Sequence, residues 1–167
     1  KQAEMRLLVD GVPLQSGGGI QVTIAFLDGL RHRNDVEWLA VLPESMRAQL
    51  PPEQAQSGNV VYLRKATHLD RIKAHFALMR IERKFTPDVV FTVFGPAYFR
   101  AKARHVIGFA LPNLIYPRDG VLIKYDGPMQ GLADRVRCAL LRQADHLVVE
   151  TETVRSRLVA RLGIRAD

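Results

Sequence analysis

Ser16-Gly17-Gly18-Gly19 is the stretch of this chain best suited to chemistry. Consecutive glycines let the main chain take positive φ and leave no Cβ to block a ligand. The apolar run Met5-Arg6-Leu7-Leu8-Val9-Asp10 comes before them and reads as a buried strand, and Ile20, Ile24, Leu27 and Leu30 follow at helical spacing. A helix that begins at the glycines offers unpaired N–H groups and the positive end of its dipole, which together suit a phosphate or another anion. The same glycines also suit a tight turn required only by packing, and spacing alone leaves both readings open.

Other recognisable chemistries are missing from the pattern. A dinucleotide fingerprint needs a third glycine, but Gly17-Gly18-Gly19-Ile20-Gln21-Val22 has none at that position, and Leu42-Pro43 stands where an acidic ribose partner would follow the second strand. There is no Gly-Lys-Ser/Thr phosphate loop, no Gly-x-Ser-x-Gly elbow and no His/Cys/Asp cluster at metal-ligand spacing. The five histidines are scattered, and His105 and His146 fall at strand starts, where a structural role is expected. Cys138, the single cysteine, excludes an internal disulfide and reads as a small packing residue beside Val136, Ala139 and Leu140.

The elements that position the glycines alternate. Strands are expected at Met5–Asp10, Val36–Leu42, Asn59–Leu63, Asp88–Val93, His105–Ala110 and Ala144–Glu150. Helices are expected from the glycines to Leu30, from Pro43 to about Leu50, over Thr67–Lys84, over Leu132–Gln143 and over Glu152–Leu162. Residues 51–58 read as a loop. In the third helix, Leu69, Ile72, Phe76 and Met79 share one helical face, and Thr86-Pro87 stops the helix. Thr151 is placed to cap the last helix, which ends at Gly163. Six strand-helix alternations imply an α/β fold: a doubly wound, mostly parallel, Rossmann-like sheet in a single domain, with helices on both faces. In such sheets ligands bind beyond the C-terminal ends of the strands. That rule selects Ser16 to Gly19, Phe94 to Tyr98 (with Gly95 and Pro96), Leu111 to Asn113, and Glu150 to Thr151 as the lining of one crevice. The Pro-, Tyr- and Gly-rich stretch from Asn113 to Gly131 is long for a loop in a compact domain, and long loops carry function or mobility.

With 167 residues, 47% of them apolar, the chain can bury a sizeable core. No run of 18 apolar residues occurs, and Lys1-Gln2-Ala3-Glu4 does not open a secretory leader, so a cytoplasmic location is expected. The net charge is +7, and 18 of the 24 cations are arginine, which points to an anionic partner. Nucleic acid is not the expected one. The arginines are spread along the chain, aromatics are 7%, and no recognition-helix, zinc-finger or RNA-binding signature appears. Arg64, Lys65, Arg71, Lys73, Arg80, Arg83 and Lys84 surround the 67–84 helix against only Asp70 and Glu82. This is either an ordinary solvated helix or a peripheral contact with anionic lipid at the inner face of the membrane.

Three segments in this order resemble the N-terminal domain of a GT-B glycosyltransferase, glycosyltransferase family 4 above all. The first is the strand followed by Gly17-Gly18-Gly19 and a helix. The second is Thr86-Pro87-Asp88-Val89-Val90-Phe91-Thr92. The third is Gln143-Ala144-Asp145-His146-Leu147-Val148-Val149-Glu150-Thr151, with Arg157-Leu158 and Leu162-Gly163-Ile164 after it. The resemblance spans nearly the whole chain. It implies one half of a GT-B architecture: residues 1–167 as the acceptor-side domain, with the C-terminal donor domain absent from this chain. The activity implied is transfer of a hexose from a nucleoside diphosphate sugar to a glycan or glycolipid, with retained configuration, no cofactor and no essential metal. The glycine loop, Ser16 to Gly19, would bring its backbone to the donor's phosphates. Gly95, Pro96, Tyr98, Asn113, Tyr116, Arg118 and Thr151 are the candidates for the acceptor cleft, and no catalytic residue is assigned. Two departures matter. The family's His-Asp pair after the fifth strand is replaced by Ala110-Leu111-Pro112-Asn113, and the Tyr116–Gly127 loop, with Tyr116, Arg118, Lys124 and Tyr125, follows no family pattern. An isolated half is expected to fold, to bind ligand weakly and to catalyse nothing.

The competing expectation is a non-enzymatic α/β module that docks on anionic lipid or another anionic partner through its basic helix. A self-contained epimerase or dehydrogenase is disfavoured, because the fingerprint fails and no Tyr-x-x-x-Lys pair occurs.

Overall fold

A computed structural model describes residues 5–14, 17–64, 68–111, 114–115 and 128–163; within them the side chains of 68, 69, 71, 128–131, 161 and 162 are not described. Six strands form one sheet: β1 (Met5–Asp10), β2 (Val36–Pro43), β3 (Val60–Leu63), β4 (Val89–Thr92), β5 (Arg104–Gly108) and β6 (His146–Val148). Their order is β3-β2-β1-β4-β5-β6 and every pairing is parallel. The order reverses between β1 and β4, which creates a switch point at their C-terminal ends. In register, Asp10 lies opposite Val41 on one side and Thr92 on the other, and Thr92 lies opposite Ile107.

The helices are α1 (Gly18–Arg31), α2 (Pro52–Ala55), α3 (His68–Phe85), α4 (Pro128–Leu141) and α5 (Glu152–Leu162). Side chains alternate across a strand, so Leu7 and Val9 of β1 pack with Ile20, Leu27 and Leu30 of α1 on one face. Leu8 packs on the other face with Ala74 and Leu78 of α3. A third cluster joins Ile107 and Phe109 to Leu141 of α4 and Leu158 of α5. The sheet is covered on both faces, as expected for parallel strands.

Several local expectations need correction. The segment after Pro43 is a 3-10 turn over Glu44–Gln49, and residues 51–58 contain the short helix α2, begun by Pro52 at a position where a missing N–H costs nothing. Helix α4 starts at Pro128, not Leu132, for the same reason. On α3 the expected apolar face is not the buried one. Ile72 and Phe76 are 56% and 63% exposed, while Ala74 and Leu78 are buried and Ile81 and Phe85 pack behind them. Residues 74, 78, 81 and 85 form a second stripe at steps of three and four, and the small Ala74 lets that face approach the sheet closely.

The sheet's N-terminal edge is tied by Arg6. Its guanidinium bonds both oxygens of Glu37 (2.9 and 3.1 Å), donates to the Thr86 carbonyl (3.3 Å) and lies 4.6 Å over the Phe85 ring. Thr86, at φ 46°, ends α3.

Candidate functional site

The three glycines differ in what surrounds them. Gly17 caps α1 at φ 79°, a region that favours glycine. At Gly19 a Cβ would lie 2.9 Å from Leu14 Cδ2 and 3.0 Å from the Phe94 ring, so packing accounts for it. At Gly18 a Cβ would meet no atom of the described residues within 4 Å, and its φ is ordinary. Neither turn geometry nor packing requires glycine there. Helix α1 has no side-chain N-cap and no acidic residue in its first turn, so the positive end of its dipole is uncompensated there.

Phe94 and Gly95-Pro96 form the wall beside this loop, at the C-terminal end of β4. The Gly95–Pro96 peptide is cis. Gly95 N–H donates to the Gly108 carbonyl at 3.0 Å, locking the wall to β5. At Gly108 a Cβ would sit 1.9 Å from the Val93 carbonyl oxygen, so only glycine permits this approach. Gly95 and Pro96 are buried, and a Cβ at Gly95 would sit 2.5 Å from Ile107 Cγ2. Tyr98 is half-buried, and its carbonyl oxygen is 2.8 Å from His75 Nδ1.

Below the crevice lies a polar cluster that motif reasoning missed. Asp10 is fully buried. Its Oδ1 accepts from Val12 N–H at 3.0 Å and its Oδ2 accepts from Thr92 Oγ1 at 3.1 Å. Thr92 Oγ1 is also 3.0 Å from His105 Nε2. A hydroxyl has one proton, and Thr92 gives it to Asp10, so Nε2 must donate to Thr92. His105 is then the neutral Nε2–H tautomer. Its buried Nδ1 has no hydrogen-bond partner among the described residues, and the Phe99 ring lies 5.8 Å away. Burial pushes the His105 pKa down from its usual value, against the opposing pull of Asp145 and Glu82. Strand register puts Asp10, Thr92 and His105 on the α3 face with Leu8 and Val90, so the sheet separates the carboxylate from α1. Three polar residues near strand ends were the only sequence signal, and their pairing depends on register.

Thr151 accepts from Val154 N–H at 3.2 Å and caps α5, as its position implied. It follows β6, three strand spacings from β1, or about 14 Å. Ser16, Asn113, Tyr116 and Arg118 lie outside the described residues. Cys138 is half-buried, and burial pushes its thiol pKa up, which suits packing better than nucleophilic attack. Among the described residues no group of three or more His, Cys, Asp or Glu is placed to hold a metal ion, and no helix is long and apolar enough to cross a membrane.

These features define a Rossmann-like α/β domain with a glycine loop at its switch point. No family model matches the chain, and no curated protein matches it. Among solved structures it is similar to UDP-GlcNAc 2-epimerase from Methanocaldococcus jannaschii, with a TM-score of 0.61 at 18% sequence identity. The match covers 96% of this chain and 43% of that one, so this chain spans less than half the neighbour's length. At that identity the likeness speaks for the fold alone: a single Rossmann-like domain with a six-stranded parallel sheet.

Proposed function

We propose that this chain is the acceptor-side domain of a retaining glycosyltransferase resembling family 4, which moves a hexose from a nucleoside diphosphate sugar to a glycan or glycolipid. The observation that carries the proposal is Gly18. Its neighbours Gly17 and Gly19 are explained by turn and packing, whereas Gly18 faces open space at the uncapped start of α1. Such a position lets a diphosphate approach the backbone, and preorganised N–H groups there would stabilise the charge that develops as the diphosphate departs. Gly95, Pro96 and Tyr98, with Asn113, Tyr116, Arg118 and Thr151, are proposed to face the acceptor. A donor-side domain would supply the remaining phosphate contacts, and no metal or cofactor is invoked.

A second reading follows from the structural neighbour, a UDP-GlcNAc 2-epimerase. The same glycine loop would then hold the diphosphate during epimerisation. Two measurements test these readings. Titrating the chain with UDP-, GDP- and ADP-sugars should shift the amide resonances of Gly17 to Ile20 with weak affinity, and Gly18→Asp should abolish the shift without changing the fold. Unmoved loop amides across the panel would remove the diphosphate assignment. In a protein that joins this domain to a donor-side domain, product analysis without an acceptor separates the activities: an epimerised nucleotide sugar supports the second reading, and an unchanged one that is consumed only with acceptor supports the first.

A further inference from the structure

The side of α3 that faces away from the sheet joins two properties. It carries the exposed apolar side chains Ile72 and Phe76, and it carries the exposed cations Lys73, Arg80, Arg83 and Lys84. At 100° per residue, all six fall within one outward sector. None of the four cations forms an ion pair with a described residue. The helix's two carboxylates leave that sector uncompensated. Glu82 is 6% exposed and turned inward, accepting from Lys102 N–H (2.6 Å) and Ala103 N–H (3.0 Å), and Asp70 is half-buried. Beside the C-terminal half of α3 a cavity of about 370 Å³ opens, with Met79, Pro87 and Ala103 as apolar lining, Arg83, Arg100 and Lys102 as cations, and Thr86 and the backbone-bonded Glu82 completing it.

We infer that this face docks on an anionic lipid bilayer, with Ile72 and Phe76 entering the headgroup boundary and the six cations Lys73, Arg80, Arg83, Lys84, Arg100 and Lys102 engaging lipid phosphates. Charge complementarity selects this occupant. A second copy of the chain would set cation against cation, whereas long basic side chains around a short apolar stripe match the layering of a bilayer surface. The face points away from the sheet, so docking leaves the crevice at the strand ends open. The inference does not depend on the proposed glycosyl transfer, because its test contains no sugar.

The test is co-sedimentation of the chain with vesicles of phosphatidylcholine alone and of phosphatidylcholine with about 30% phosphatidylglycerol. Binding is expected only to the anionic vesicles and should weaken strongly from about 0.05 to 0.3 M salt. The double variant Lys73→Gln/Arg80→Gln should weaken it about 25-fold, near fivefold per cation removed. Phe76→Ser should weaken it about tenfold. Both variants change exposed side chains, so circular dichroism and Tm should match the parent. Arg47→Gln, on the opposite layer of the sheet, should bind like the parent. Equal binding to both vesicle types would overturn the inference, as would parent-like binding by the α3 variants. A salt-insensitive dimer that Phe76→Ser dissolves, without vesicle binding, would overturn it in favour of a second copy.

Discussion

Gly18 and Gly108 are both glycines near the crevice, and they answer to different constraints. With open space at its Cβ position, Gly18→Ala should leave stability within about 1 kcal/mol of the parent or raise it, since it reduces unfolded-chain entropy. Gly108→Ala drives a methyl into the Val93 carbonyl oxygen and should cost more than about 3 kcal/mol. Urea midpoints of the two variants check this contrast, and a strongly destabilised Gly18→Ala would return the loop to a packing role. His105 sets a pH dependence. Its folded pKa lies below the unfolded value of 6.5, so between the two the unfolded chain binds more protons. Stability is therefore full above about pH 6.5 and falls as pH drops below it. His105→Gln keeps an N–H donor for Thr92 but cannot titrate, so its urea midpoint should fall less over that window. Parallel pH profiles for parent and variant would rule out a buried neutral His105. Neither the Asp10–Thr92–His105 cluster nor its proton order was legible beforehand. Asp10 and Thr92 are 82 residues apart, and only the β1–β4 register brings them together.

At the level of elements, the sequence was most legible where one pattern had one solution. Met5–Asp10 and Glu152–Leu162 have the expected bounds, the second because Thr151 and Gly163 mark its ends. Thr151→Ala should cost about 1 kcal/mol, read as a lowered Tm with unchanged sheet content; an unchanged Tm would mean that the Val154 N–H finds an equivalent partner in water. Helix α3 was legible as a helix but not in its orientation. It carries the stripes 72-76-79 and 74-78-81-85, and both meet the 3.6-residue rule. The sheet receives the one with Ala74, which lets the helix sit close, and leaves Ile72 and Phe76 outside. Periodicity shows that a face exists; where two are present, the partner surface chooses. The helical segment expected from Pro43 to about Leu50 is present over Glu44–Gln49 but with 3-10 geometry, and the short α2 was missed because a single turn carries too few residues to show a period.

For the whole molecule, alternation of strands and helices was enough to give a doubly wound parallel sheet, and the sheet's strand order then gave the crevice. That inference is robust because parallel pairing requires a crossover for every strand. The candidate site was legible only as far as the loop joining β1 to α1. Its wall is built from Phe94, Gly95 and Gly108, contributed by two strands, and packing among them is not written in local spacing.

The strand order also has a consequence for how the chain is born. β1 meets β2 early, with Met5 opposite Val36, but its other edge waits for Val89 to Thr92. Until β4 leaves the ribosome, Leu7 to Asp10 border a half-sheet with an open, apolar edge, the kind of edge that recruits other chains. Chains truncated after Phe85 should therefore aggregate or bind chaperones, while chains that continue through Gly108 should show protection of β1 in hydrogen exchange. Soluble, protected β1 in the shorter chains would mean that the first half of the sheet closes without β4. The switch point that opens a ligand crevice is thus also the seam where the two halves of the sheet first meet during synthesis.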